Sequence, residues 1–391
     1  MENIKIAYCL PSLYISGGME RVLTIKANYF ADILGYEIYI ILTDGKDKQP
    51  YYPLSPKIHV INLNINFNEL WNKSFLQKAL LYFSKQRIYK KKLKKCLFEI
   101  RPDITISMLR REINFINSIQ DGSIKIGEIH INKDNFRDFK NDSKVNFTKK
   151  IISIFWMKQL IKELKKLDRF VVLTNKDKEK WMELENTLVI PNPLPFYPES
   201  IFKSSNKTVI AVGRYVYEKG FDRLISAWSY IHKRHPDWCL HIYGDGSNKQ
   251  LLEQIYSLKL EESCILEHAV SNIVDKYCES SIFALSSRFE GFGLVICEAM
   301  ACGLPPVAFD CPWGPREIIK DDIDGLLVEN GNIQELANKI CYLIEHEDIR
   351  KEMGKQARID VERFKIENIA AQWNILFKSL LKQKNIKITN H

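Results

Sequence analysis

Ser286-Ser287-Arg288-Phe289-Glu290-Gly291-Phe292-Gly293-Leu294-Val295-Ile296-Cys297-Glu298 is the stretch that decides the fold. The apolar run at 282–285 before it reads as a strand, two serines open a turn, and two glycines precede a helix predicted over 294–301. Strand, glycine turn and helix in that order form the repeating unit of a parallel α/β sheet, where ligands gather at the carboxyl ends of strands. Glycines let the backbone come close to a ligand. The amides of Leu294 and Val295 open the helix without intrahelical acceptors and turn the positive end of its dipole toward a phosphate. Glu290 then lies in the loop and Glu298 about one turn inside the helix, spaced to serve two parts of one extended ligand. Taken singly, each reads as a turn residue or a solvated helix glutamate. Their combination with the glycines points to a site.

Upstream, 208–212 is another strand candidate, followed by Gly213-Arg214 and Glu218-Lys219-Gly220. Arginine forks two phosphate oxygens and lysine adds a point charge, which suits a diphosphate whose charge grows as a bond breaks. A solvated surface pair is the alternative. Tyr243-Gly244-Asp245-Gly246 ends the strand expected at 240–243; its Asp-Gly is ordinary turn chemistry, made a candidate only by that position. Helices are expected over 221–232 and 249–258, and a further strand over 306–309. The same alternation fills the first half, with strands at 4–10, 37–42, 58–63, 104–108, 124–129 and 170–173 and helices at 20–34 and 75–99. Prolines 191, 193 and 195 then stiffen a connection that continues neither strand nor helix. A chain of 391 residues exceeds what one core usually serves. The expected division is a first domain over 1–192, a linker at 193–206, a second domain over 207–365 and a returning helix over 366–391.

Roles for these domains come from a resemblance. Gly213-Arg214 with Lys219-Gly220, Tyr243-Gly244-Asp245-Gly246, Glu290-x7-Glu298, Ala299-Met300-Ala301-Cys302-Gly303-Leu304-Pro305 and Asp324-Gly325-Leu326-Leu327-Val328 together resemble glycosyltransferase family 4. The resemblance implies the GT-B fold, two doubly wound Rossmann-like α/β domains facing a cleft, with 1–192 the acceptor-binding domain and 207–365 the sugar-nucleotide-binding domain, and transfer with retention at the anomeric carbon. It implies a UDP- or GDP-sugar donor with Arg214, Lys219 and the Leu294 and Val295 amides on the diphosphate. Glu290 would contact the donor sugar and Glu298 the ribose, with Gly213, Gly244, Gly246, Gly291, Phe292 and Gly293 shaping the donor site.

In the first half, Ser16-Gly17-Gly18-Met19-Glu20-Arg21-Val22 resembles the family's glycine-rich loop facing the diphosphate, with Met19 where alanine is often found. Gly127-Glu128-Ile129-His130 resembles the segment whose histidine reaches the donor sugar; the alternative is a structural histidine after a strand. The segment 369–380, with Trp373, resembles the helix that crosses back to the first domain. Glu290, His130, Arg214 and Lys219 are thus the expected catalytic groups. The leaving diphosphate would accept the incoming hydroxyl's proton, with no protein nucleophile. Three other classes stand as alternatives. A phosphorylase of the same fold would need pyridoxal phosphate, for which no lysine matches a site; a non-catalytic subunit would bind the nucleotide sugar without transfer; an NAD enzyme would need G-x-G-x-x-G after a strand.

Asp322-Ile323-Asp324 formally matches a metal-binding Asp-x-Asp, but it precedes Gly325 and an apolar run and reads more simply as a turn. No metal or cofactor is expected. Nine scattered cysteines without a C-x-x-C pair read as reduced core thiols. The start, Met1 to Leu10, lacks a basic n-region and reads as a first strand instead of a signal peptide, and no run approaches 18 apolar residues. A cytoplasmic protein is the expectation. Charge is uneven: residues 1–195 carry 33 Lys/Arg against 21 Asp/Glu, the remainder 24 against 27. The excess sits at Lys85–Lys95 and Lys149–Lys166, where Ile154, Met157, Leu160, Ile161 and Leu164 form one helical stripe and Lys158, Lys162, Lys165 and Lys166 lie off it. That is an ordinary surface helix or a peripheral helix at an anionic membrane bearing a polyisoprenyl-linked or other glycan acceptor. No nucleic-acid motif accompanies the charge.

Overall fold

Apolar runs and amphipathic segments alternate into two parallel sheets in the computed structural model, which describes residues 3–70, 74–133, 147–199 and 206–389. The first sheet holds β1 (Lys5–Leu10), β2 (Glu37–Leu42), β3 (His59–Asn62), β4 (Ile104–Ser107), β5 (Ile124–Glu128), β6 (Arg169–Val172) and β7 (Thr187–Val189). Its spatial order is β3-β2-β1-β4-β5-β6-β7. The second holds β8 (Thr208–Val212), β9 (Cys239–Tyr243), β10 (Cys264–Glu267), β11 (Ile282–Leu285), β12 (Pro306–Asp310) and β13 (Leu326–Glu329), in the order β10-β9-β8-β11-β12-β13. Central strands such as β4 and β11 are buried along their whole length, because helices cover both faces of a parallel sheet.

In each sheet the chain order reverses beside the first strand, between β1 and β4 and between β8 and β11. Loops leaving the carboxyl ends of those two strands diverge to opposite sides, which opens a crevice where open α/β sheets take their ligands. The expected segments Gly17-Gly18 and Gly213-Arg214 follow β1 and β8, and the Glu290 turn follows β11.

The chain divides into two compact units, Met1–Pro193 with Ile366–His391, and Leu194–Lys365. In the first, the helix Ile366–Thr389 lies on the helix Gly18–Asp32. Phe377 meets Phe30 edge-on at 5.7 Å, and Tyr36 donates to the Asn374 side chain at 2.6 Å. Trp373 is fully buried there. The connection expected at 193–206 is tied down at its start. Leu194 donates its amide to Phe364 (2.7 Å), and the Tyr197 hydroxyl donates to Glu362 (2.7 Å), so prolines stiffen this segment while its side chains pack on the second unit. Positions 200–205 of that connection lie outside the described residues.

Several elements differ from expectation for physical reasons. β10 carries no clear alternation and is half exposed, an edge strand recruited by pairing with β9. β7 is three residues long and runs up to the first proline of the connection. The stripe at 154–164 splits: Leu160 and Leu164 are buried, whereas Ile154 is exposed beside Phe155 and Trp156. Among its described side chains, the helix Phe147–Leu164 covers the core with its last turns.

In the second unit, the helix Glu347–Asp360 passes so close to the end of the helix Leu294–Ala301 that a Cβ at Gly354 would overlap the Gly303 carbonyl oxygen. Neither partner is a flexible side chain. Gly354→Ala should lower the unfolding free energy of the second unit by about 1–3 kcal/mol, the scale of overpacking. Urea denaturation followed by tryptophan fluorescence would read this, and an unchanged midpoint would contradict the close approach.

Candidate active site

Loops after β8 and β11 are laced together by their own polar atoms. Lys219 donates to Glu290 Oε1 at 2.6 Å, and Ser287 Oγ donates to the same oxygen at 2.6 Å. Ser286 Oγ donates to the Lys219 carbonyl (3.0 Å), and the Arg288 amide to the Glu218 carbonyl (2.7 Å). A Cβ at Gly220, whose φ is +61°, would overlap the Ser286 carbonyl oxygen. Only glycine suits both that conformation and that proximity. Arg288 forks Asp222 at 2.8 and 2.7 Å while lying 3.9 Å over the Tyr217 ring. Hydrogen bonding from Arg288 holds the Asp222 carboxyl below its usual range.

Beside this pair, β8 and β9 end in touching backbones. Gly213 donates to the Tyr243 carbonyl (2.9 Å), and a Cβ at Gly244 would overlap the Gly213 carbonyl oxygen. Gly213 itself leaves room for the Lys219 stem, and Gly246 takes φ +128° against Tyr215. Arg214 stands exposed at the end of β8. Arg214, Lys219, Glu290 and the Gly213, Gly244 and Gly246 turns are thus assembled at the carboxyl ends of β8, β9 and β11.

The turn Gly291-Phe292-Gly293 then enters the helix Leu294–Ala301 through Gly293 at φ +94°. The two residues whose amides open that helix, Leu294 and Val295, are partly exposed. Phe292 is buried and meets Phe364 edge-on at 5.5 Å, so its side chain anchors the turn in the core. Glu298 is only 3 % exposed and accepts from the Tyr277 hydroxyl at 3.0 Å. The solvated helix glutamate allowed by the sequence is therefore ruled out. Asp324 is buried and caps its own turn by accepting from the Lys320 amide at 2.7 Å, while Asp322 pairs with Lys339 at 3.8 Å. The Asp-x-Asp segment is a built turn.

In the first unit, Gly17 is the extended residue preceding the helix Gly18–Asp32, and space around Gly18 is open. His130 follows β5, its side chain 7 % exposed and its Nε2 3.0 Å from Glu128 Oε1.

Sequence reading missed three contributors. Ser287 shares Glu290 with Lys219. Lys26 reaches Glu128 from the helix Gly18–Asp32. The loop after β12, Cys311-Pro312-Trp313-Gly314-Pro315, takes the Glu290 amide on the Pro312 carbonyl (3.2 Å) and presses Gly314, at φ +121°, on the Phe292 carbonyl. Trp313 is also left-handed, at φ +69°. Glycine between two prolines was a legible turn signal for that loop. A lysine inside a helix facing a sheet carried no such signal.

Comparison with known proteins agrees with this arrangement. The family described as glycosyl transferases group 1 matches residues 196–360. An uncharacterized glycosyltransferase of Haemophilus influenzae is 28 % identical over 94 % of this chain and 98 % of its own. The amylovoran biosynthesis glycosyltransferase AmsD of Erwinia amylovora is 36 % identical over 53 % of this chain and 61 % of its own length. Among solved structures, Anabaena HepE in complex with UDP and glucose superposes with a TM-score of 0.73 at 21 % identity, covering 96 % of this chain and all of that one. Each unit is thus a doubly wound half of the GT-B fold.

Tyr277→Phe removes the phenol's hydrogen bond to a buried carboxylate. It should lower stability by about 1.5–3 kcal/mol, the range for bonds to charged groups. Chemical denaturation of the variant checks this, and a loss below a few tenths would mean Glu298 is satisfied without the phenol.

Proposed function

We propose that this chain, which through residues 196–360 belongs to the group 1 glycosyl transferases, moves a sugar with retention from a nucleoside diphosphate to a hydroxyl of a glycan or lipid-linked acceptor. The observation that carries the reading is the Lys219–Glu290–Ser287 cluster at the β8/β11 crevice beside exposed Arg214. Arg214, Lys219 and the Leu294 and Val295 amides would receive the diphosphate, where preorganised donors stabilise charge that grows as the glycosidic bond breaks. Glu290 would take the sugar hydroxyls and Glu298 the ribose side. His130 and the Gly17-Gly18 loop would complete the donor site. The proton of the incoming hydroxyl would pass to the departing diphosphate. The complex of HepE with UDP and glucose supports a UDP-sugar donor, and the amylovoran relative supports an acceptor in surface polysaccharide assembly.

Glu290→Ala and Arg214→Ala should each cut transfer by ~10²–10³-fold with the fold intact, the scale for losing one preorganised charge-stabilising group. Transfer from a panel of UDP- and GDP-sugars, preceded by thermal-shift selection of the donor, measures it; near-normal turnover of both variants would overturn the site.

Cations and helix amides take the place of a metal in this reading. Exhaustive chelation should therefore leave the rate largely unchanged. A strict Mg²⁺ or Mn²⁺ requirement, with Asp322 and Asp324 essential for transfer, would reverse the conclusion.

The basic first half is proposed to dock on the anionic inner face of a cell membrane, where a polyisoprenyl-linked acceptor would be reached. Phe83 and Phe155 are 64 % and 65 % exposed, on the two helices that carry the lysine excess. No described helix is long and apolar enough to cross a membrane. Each Lys or Arg near such a surface contributes ~1 kcal/mol, screened by salt. Co-sedimentation with liposomes should rise with phosphatidylglycerol content, fall in high salt, and fall when Lys158, Lys162, Lys165 and Lys166 become glutamate. Indifference to anionic liposomes at low salt would make the charge a solvated face.

A further inference from the structure

Lys26 points into the interior of the first unit, its side chain 1 % exposed against 2 % for Glu128. Its ammonium donates to Glu128 Oε1 and lies 4.5 Å from the centroid of the Trp373 ring. His130 Nε2 stands 3.0 Å from that same oxygen, although its N–H vector misses the hydrogen-bond line. Glu128 Oε2 and the Tyr8 hydroxyl are buried without a hydrogen-bond partner among the described residues. Four polar side chains from β1, the Gly18–Asp32 helix and the end of β5 thus share one pocket closed by the C-terminal helix.

A buried ion pair is weak as a stabilising device. Removing both charges and filling the space with apolar groups is often neutral or better, whereas removing one charge is costly. The pair therefore calls for a second role. The Glu128 carboxylate has one feature that no apolar replacement would supply, which is a charged oxygen against the imidazole of His130. A carboxylate beside a ring nitrogen favours the tautomer that carries its proton there. Burial acts to raise the Glu128 carboxyl, yet Lys26 and His130 together hold it down, at about 2. Burial also pulls the Lys26 ammonium down against Glu128. The pair is charged, because the Lys26 ammonium sits against the carboxylate and the Trp373 ring backs it.

We propose that Lys26 and Glu128 are positioning residues for His130: the Glu128 carboxylate, 3.0 Å from Nε2, favours the tautomer with the proton on that nitrogen and leaves Nδ1 as the acceptor for a hydroxyl of the sugar being transferred. Lys26 supplies the counter-charge that lets Glu128 remain a carboxylate beside the imidazole. Trp373 ties this arrangement to the C-terminal helix. The inference rests on His130 serving the donor sugar, and its test separates the two.

The ¹⁵N signals of His130 in the full-length protein, assigned by their loss in His130→Gln, report the tautomer directly. The wild-type ring should be the Nε2–H tautomer at neutral pH. In E128Q that preference should be lost, because the adjacent opposite charge is gone. Because E128Q leaves Lys26 unpaired, K26M/E128L is the second variant; it should fold, lose the tautomer preference, and lose about tenfold in kcat with a smaller change in donor KM. An unchanged His130 tautomer in K26M/E128L would overturn the proposal. A changed spectrum with normal transfer by His130→Ala would leave the positioning in place and instead remove His130 from the donor site.

Discussion

The contact between Lys219 and Glu290 joins residues 71 apart in sequence, and most of the candidate site depends on it. It exists because β8 and β11 are adjacent in a parallel sheet whose order reverses between them. Parallel pairing brings both carboxyl ends to one edge, and the reversal sends the following connections to opposite sides, so the loops border a crevice without filling it. Ser286, Ser287, Arg288 and Gly220 then stitch the two loops through backbone and side-chain hydrogen bonds and close approach. A cation and a carboxylate are thereby held in place before any ligand arrives, which is the condition for electrostatic catalysis to avoid reorganisation at the moment of reaction.

The two glutamates of the eight-residue spacing occupy different surroundings. Glu290 faces Lys219 and Ser287 at the crevice, whereas Glu298 turns inward to the Tyr277 phenol. A helix of 3.6 residues per turn places its first inward positions against the sheet, so the carboxylate at position 298 meets a buried phenol, while the one in the loop, also buried, meets Lys219 and Ser287. Burial pushes the Asp324 carboxyl up to about 6 at a turn it caps, and the neighbouring Asp360 adds to that rise. The fold therefore sets chemically identical groups at different depths and against different neighbours.

Much of this was legible in the chain itself. Strand–turn–helix alternation placed β8, β9, β11 and β12 within a residue or two, because inner parallel strands are continuous apolar runs that the turn glycines punctuate. Gly244, Gly220 and Gly293 stood out in the sequence and proved to sit where a side chain would collide or the backbone is left-handed. β10 was invisible because an edge strand has no interior to advertise, and Ile154 left its stripe because the core ends before the helix does.

What the sequence by itself determined was the pair of doubly wound units and the local chemistry of each loop, since periodicity, glycine conformation and turn residues act over a few positions. Tertiary structure alone decided which loops meet. Lys26 beside Glu128 and His130, Pro312 on the Glu290 amide, Tyr277 under Glu298 and Trp373 over Lys26 all pair residues from separate elements. Their identities carry no local signal, because a hydrogen bond or ion pair depends on distance in space and strand order sets that distance. The same lysine in a solvated helix would be a surface charge; packed against β5 it becomes the counter-ion of a buried carboxylate.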